Sequence, residues 1–191
     1  MELTSSLVTE KAREYRETEM LSDTEDEHAE ILPDMFADGE YGWRDAEWVV
    51  QWYFRRYLGA YPNADRRAAE AAYGENDFDD VLDTLSAVET SDDEEERVRL
   101  LTTLEGVDVR VASAFLHFMF PDEHLVVGDR EWAVLHATGE LDEPYPDPPS
   151  VEDYVSYLGT CRDVTDRLGV DLRTLYRALW RLWNEVETDG E

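Results

Sequence analysis

The 191 residues carry 47 Asp plus Glu against 17 Lys plus Arg, a formal net charge of -30, and Lys11 is the lone lysine. No apolar run reaches the ~18 residues needed to span a bilayer, and the N-terminal stretch lacks the basic-then-apolar plan of a secretory signal, so a cytoplasmic, membrane-free protein is expected. A single cysteine, Cys161, excludes an internal disulfide, a Cys-rich zinc site and a four-cysteine iron–sulfur cluster.

The predicted elements are helices nearly throughout. The first runs from Ser5 to Met20, and the second, Thr24 to Phe36, is interrupted at Pro33 and ends near Gly39. Arg44 to Leu58 is apolar almost all round, with Trp48, Val49, Val50, Trp52, Tyr53, Phe54 and Tyr57, and so belongs at the centre. Its two arginines, Arg55 and Arg56, are expected to snorkel to solvent. Shorter helices follow at Asp65 to Tyr73 and Phe78 to Val88.

Ser91 and Glu94 have the spacing of a capping box, opening a helix through Leu104. Gly106 stops that helix, and Val109 to Phe120 forms the next, up to Pro121. Asp129 then stands where an N-cap belongs, ahead of "REWAVLHATG". The stretch 140–150 holds four prolines and cannot be helical. Ser150 caps a helix to about Leu168, and Asp171 to Val186 carries the apolar stripe Leu172, Leu175, Leu179, Leu182, Trp183 and Val186. The class is all-α, read as one domain over 1–191, with C-terminal helices at 150–187.

The charge has two readings. A block of acids would mimic nucleic acid or hold a basic protein partner. Acids spread through every segment, as here, instead favour adaptation to molar salt, as in an extreme halophile. At molar salt the Debye length is about 3 Å, and counterion release no longer drives phosphate binding. An acidic composition therefore does not exclude a DNA partner.

The corner "LEGVDVRVASAFL", Leu104 to Leu116, joins two helices through a turn begun by Gly106. Such a corner exposes backbone N–H groups of the turn and of the second helix together, and these attract anions. Ala112, Ser113 and Ala114 let the second helix pack closely on the first. With the helices either side (92–120) this segment resembles the helix–hairpin–helix of the DNA glycosylase superfamily. In that superfamily a catalytic aspartate follows the hairpin by about two dozen residues, and "LVVGDREWAVL" places Asp129 at that interval.

The resemblance implies two helical lobes around a cleft, with the hairpin and Asp129 at its mouth. It implies double-stranded DNA as partner, backbone contacts from Gly106, Val107, Asp108 and Arg110, and base excision by Asp129 without a cofactor or metal. Asp108 stands where the second hairpin glycine is usual; aspartate tolerates left-handed geometry better than most residues, but it brings a negative charge close to where phosphate would sit. Arg110 stands where glycosylase-lyases carry a lysine nucleophile. A guanidinium cannot form a Schiff base, so strand cleavage is not expected. Trp48, Trp52 and Tyr53 are candidates to line a base pocket, although a core role is the simpler reading of that aromatic run.

Each feature keeps its plain alternative at this stage. Asp129 as an N-cap, Gly106 and Asp108 as a tight corner, and the whole chain as a non-catalytic scaffold all remain open. His117, Asp122, Glu123 and His124 match no helical metal-ligand spacing, and "FPDEH" reads as a polar loop after a helix.

Overall fold

The structure, a computed structural model, describes residues 1–189. Ten helices appear among them and no strand: α1 (Ser5–Thr18), α2 (Ser22–Asp38), α3 (Trp43–Arg55), α4 (Asn63–Tyr73), α5 (Phe78–Thr90), α6 (Glu94–Leu101), α7 (Val109–Met119), α8 (Asp129–Ala137), α9 (Val151–Leu168) and α10 (Leu172–Asp189).

The core is built on α3 and α7. Every residue of α7 from Val111 to Met119 is buried, and α3 buries Val49, Val50, Trp52, Tyr53 and Phe54 against it. One helical group, α2 to α7, surrounds this pair. A second group comprises α1, α8 and α10, with α1 and α8 both packed on α10, while α9 touches α6, α7 and α10. The cleft between the groups holds the site.

Three local readings are corrected. α2 runs through Pro33 without interruption. An interior proline costs about 3 kcal/mol, but Leu32 and Phe36 flank it at 2% and 3% exposure, and burying two such side chains returns about 1.5–3 kcal/mol each. The cap of α6 is Asp93, whose carboxylate accepts from the Glu96 amide at 2.8 Å. Ser91 instead ends α5 and donates its hydroxyl to the Glu96 side chain. Finally, α3 stops at Arg55, because Leu58 and Gly59 both take left-handed backbone, φ 51° and 91°, and turn the chain toward α4. Ser150 does cap α9, with Asp153 completing the box.

Candidate functional site

The hairpin between α6 and α7 is pinned from beneath by Leu104 and Val107, both 5% exposed. Gly106 has φ 76°, and a Cβ there would overlap the Ala69 carbonyl oxygen and lie 2.6 Å from the Tyr73 amide nitrogen. Glycine is required twice over, for the backbone region and for contact with α4. Asn76, which nothing in the sequence singled out, clamps the same turn. Its amide nitrogen donates to the Glu105 carbonyl at 3.0 Å, and its Oδ1 accepts from the Glu105 N–H at 2.9 Å.

Asp108 is not left-handed: φ is -89° and ψ -179°, and it is the N-cap of α7. An extended backbone is what a capping side chain needs to reach back over the helix start. Its Oδ1 accepts from the Val111 amide at 3.0 Å, and its Oδ2 accepts from Arg110 Nε at 2.8 Å. Arg110 is further tied to Asp147 at 3.5 Å. Two carboxylates therefore hold the hairpin's one cation, and one of them sits on the helix start where an external anion would dock.

Asp129 is the first residue of α8, while the cap position belongs to Gly128. The Asp129 carboxylate bonds to no amide of its own helix. Oδ1 accepts from the Tyr57 hydroxyl at 2.7 Å, and the side chain forms part of the wall of a pocket of about 380 Å³. Tyr53, Tyr57, Tyr61, Tyr145 and Trp183 supply its aromatic surface, and Arg110 and Arg130 its cations. A groove of about 390 Å³ along Gly106, Val107 and Asp108 shares Tyr61, Asp65 and Arg110 with this pocket. All five candidate residues thus line two adjoining concavities.

Beneath Asp129 lies a buried ion pair. Arg56 and Glu131 are 2% and 0% exposed, with Nη1 2.6 Å from Oε1. The expectation that Arg56 reaches solvent is wrong because the chain turns at its position and rings close around it. Its guanidinium lies 4.7 Å from the Tyr53 ring centre and 5.0 Å from those of Tyr57 and Trp180. Burial pushes the Glu131 carboxyl up, and the Arg56 charge opposes that shift. Arg56 Nη2 also donates to the Tyr57 hydroxyl at 3.3 Å. Gly128 has room for no side chain, since a Cβ would overlap Arg56 Nη2 and lie 2.6 Å from Glu131 Oε2 and 2.8 Å from the Tyr57 hydroxyl.

Arg130 is held by rings rather than by a carboxylate. Its guanidinium stacks on Tyr57, Trp180 and Trp183 at 4.9, 4.4 and 4.1 Å, and among the described residues no carboxylate pairs with it. Tyr53 reaches the pocket, but Trp48 and Trp52 do not. Trp52 donates to Glu25 Oε1 at 2.8 Å inside the core, and Trp48 stacks on His28.

The segment "FPDEH" is a loop after α7, as read from the sequence, but its last residue points inward. His124 is fully buried between the Tyr154 hydroxyl and Arg97. His117 is buried against the Trp52 ring. Cys161 is buried and its thiol is pushed up by that burial, which leaves it unreactive.

A scan against models of known protein families finds no match, and neither does a search of curated protein sequences. Among solved structures, the chain is similar to an 8-oxoguanine glycosylase/lyase of Methanocaldococcus jannaschii, crystallised with a 15mer DNA containing 8-oxoguanine. The TM-score is 0.52 at 16% identity, over 91% of this chain and 95% of the other. The fold is therefore the all-α, helix–hairpin–helix DNA glycosylase-like one, with its helices in two groups around a cleft.

Proposed function

We propose that this protein binds double-stranded DNA and releases a base from it as a monofunctional N-glycosylase, with Asp129 as the working carboxylate. The observation that carries the reading is the state of Asp129. It stands at a helix start yet caps nothing, and it forms part of the wall of an aromatic pocket with one oxygen, Oδ2, bonded to no described group. A carboxylate beside the sugar stabilises the oxocarbenium-like transition state of base release and orients the attacking water. The base, turned out of the duplex, would stack among Tyr53, Tyr145 and Trp183. A volume of about 380 Å³ falls within the usual range for a small-molecule pocket.

No lyase step is assigned. Arg110 cannot form a Schiff base, and Lys11 lies on α1, paired with Glu14 and Glu185. Backbone contacts from Gly106, Val107 and Asp108 would hold the strand. Arg130 would supply charge that the hairpin's Arg110 has already committed to Asp108 and Asp147.

The test is binding to two duplexes, one intact and one carrying a stable abasic-site analogue, across KCl up to molar levels, followed by a base-release screen. Asp129→Asn is expected to keep abasic-duplex binding while base release falls by about 100-fold or more. Absence of binding to either duplex at every salt concentration would sink the proposal. A second reading, a non-catalytic scaffold on this fold, draws on the Asp108–Arg110 pair that fills the hairpin. Abasic-duplex binding without release of any base would favour it.

A further inference from the structure

We infer that Tyr57 is the positioning residue for Asp129, and that the buried Arg56–Glu131 pair exists to aim the Tyr57 hydroxyl. The inference rests on the glycosylase reading for its chemistry, but its geometry stands on separate ground.

The direction of each hydrogen bond follows from the groups themselves. A guanidinium only donates. Arg56 therefore gives one N–H to Glu131 Oε1 at 2.6 Å and another to the Tyr57 oxygen at 3.3 Å. With its oxygen accepting from Arg56, Tyr57 commits its single proton to Asp129 Oδ1 at 2.7 Å. The chain of bonds is polarised outward, from a buried charge pair to a carboxylate at a pocket wall. It also distinguishes the two oxygens of Asp129: one is held, and Oδ2 is left to meet the sugar or the water.

The surroundings leave the array little freedom. Arg56, Tyr57 and Glu131 are all within 6% exposure. The Tyr57 ring is wedged between Tyr61 and Trp180, with ring centres 5.3 and 5.4 Å away. At Gly128 the three functional groups crowd the space where any other residue would place its Cβ. A buried ion pair is not in itself a stabilising device, since desolvation offsets much of its attraction. A pair placed one bond behind the hydroxyl that grips Asp129 has a use for its orientation.

The variant is Tyr57→Phe, which keeps the ring contacts. Arg56 or Glu131 variants would leave an unpaired buried charge and risk unfolding. In single-turnover reactions Tyr57→Phe is expected to lower the base-release rate by about 100-fold, as misplacement of a reacting group does. Affinity for the abasic-analogue duplex should stay within about twofold, since the phosphate contacts are untouched. A wild-type rate in Tyr57→Phe overturns the inference.

A second measurement needs no turnover. With ring-labelled tyrosine, the Tyr57 hydroxyl proton should appear as a slowly exchanging downfield NMR signal that moves in Asp129→Asn. A hydroxyl signal indifferent to Asp129→Asn also overturns the inference. Should the wild type release no base from any duplex, the glycosylase reading fails alone, and the hydroxyl signal still decides whether Tyr57 holds Asp129.

Discussion

Asp108 carries two duties that pull against each other. As a cap its carboxylate satisfies the Val111 amide, a contact worth about 1 kcal/mol. As a charge it neutralises Arg110 and occupies the helix start that a phosphate would use. Asparagine caps as well as aspartate but brings no charge. Asp108→Asn is therefore expected to melt close to the wild-type temperature while binding duplex DNA more tightly at low salt. The plot of log affinity against log salt should steepen by about 0.9, the value of one more phosphate neutralised. Unchanged affinity and slope would show that Arg110 does not reach the strand. Gly106 cannot be probed so cleanly. Any side chain there meets the backbone of α4, so a lost function would not separate contact with DNA from a displaced hairpin.

At the scale of elements, the seam between α3 and α7 encloses a titratable ring. His117 of α7 lies on Trp52 of α3, ring centres 5.7 Å apart and nearly parallel, with Tyr176 of α10 beside it. Burial, aided by the nearby Arg173 charge, lowers its pKa to about 3. Between about 6.5 and about 3 the unfolded chain binds this proton and the folded one does not. The contribution is therefore fully present above pH 6.5 and is lost as the pH falls, by about 1.4 kcal/mol per pH unit. Buried Glu25 and Glu131 are shifted upward and act in the opposite sense, so the reading must be a difference between proteins. Urea unfolding at pH 7 and pH 5.5 should show a smaller loss in His117→Phe than in wild type; equal losses would refute the assignment. The same seam shows what the sequence displays and what it hides. Apolar stripes and cap residues made α3, α7, α9 and α10 readable, because period and capping are local. The spacing from Gly106 to Asp129 was readable for the same reason. The partners of Asp129 were not: Tyr57 lies 72 residues upstream of it, and Arg56 lies 75 upstream of Glu131. Only tertiary closure brings them together. Arg56 was misread because an arginine at the end of an aromatic run looks the same whether it faces water, as Arg55 does, or a buried acid.

For the whole molecule, the excess of 30 negative charges makes stability a question of salt. Self-repulsion at this density opposes the compact state, and added salt removes it as the Debye length falls from about 10 Å at 0.1 M to about 3 Å at 1 M. The melting temperature is expected to climb steadily from 0.1 M to beyond 1 M KCl, and duplex binding to persist there if shape and hydrogen bonds carry it. A melting temperature flat across that range would remove the case for a chain adapted to molar salt. No helix among the described residues is long and apolar enough to cross a membrane. The pocket, finally, draws its walls from distant parts of the chain. Tyr53 and Tyr57 come from α3 and its end, Asp129 from the start of α8, and Trp183 from α10, which also packs along α1. During synthesis the aspartate leaves the ribosome more than fifty residues before the tryptophan that faces it. A nascent chain holds every hairpin residue and the carboxylate before it has the pocket wall that Trp183 supplies. The pocket is therefore completed only once α10 has joined the hairpin and the carboxylate.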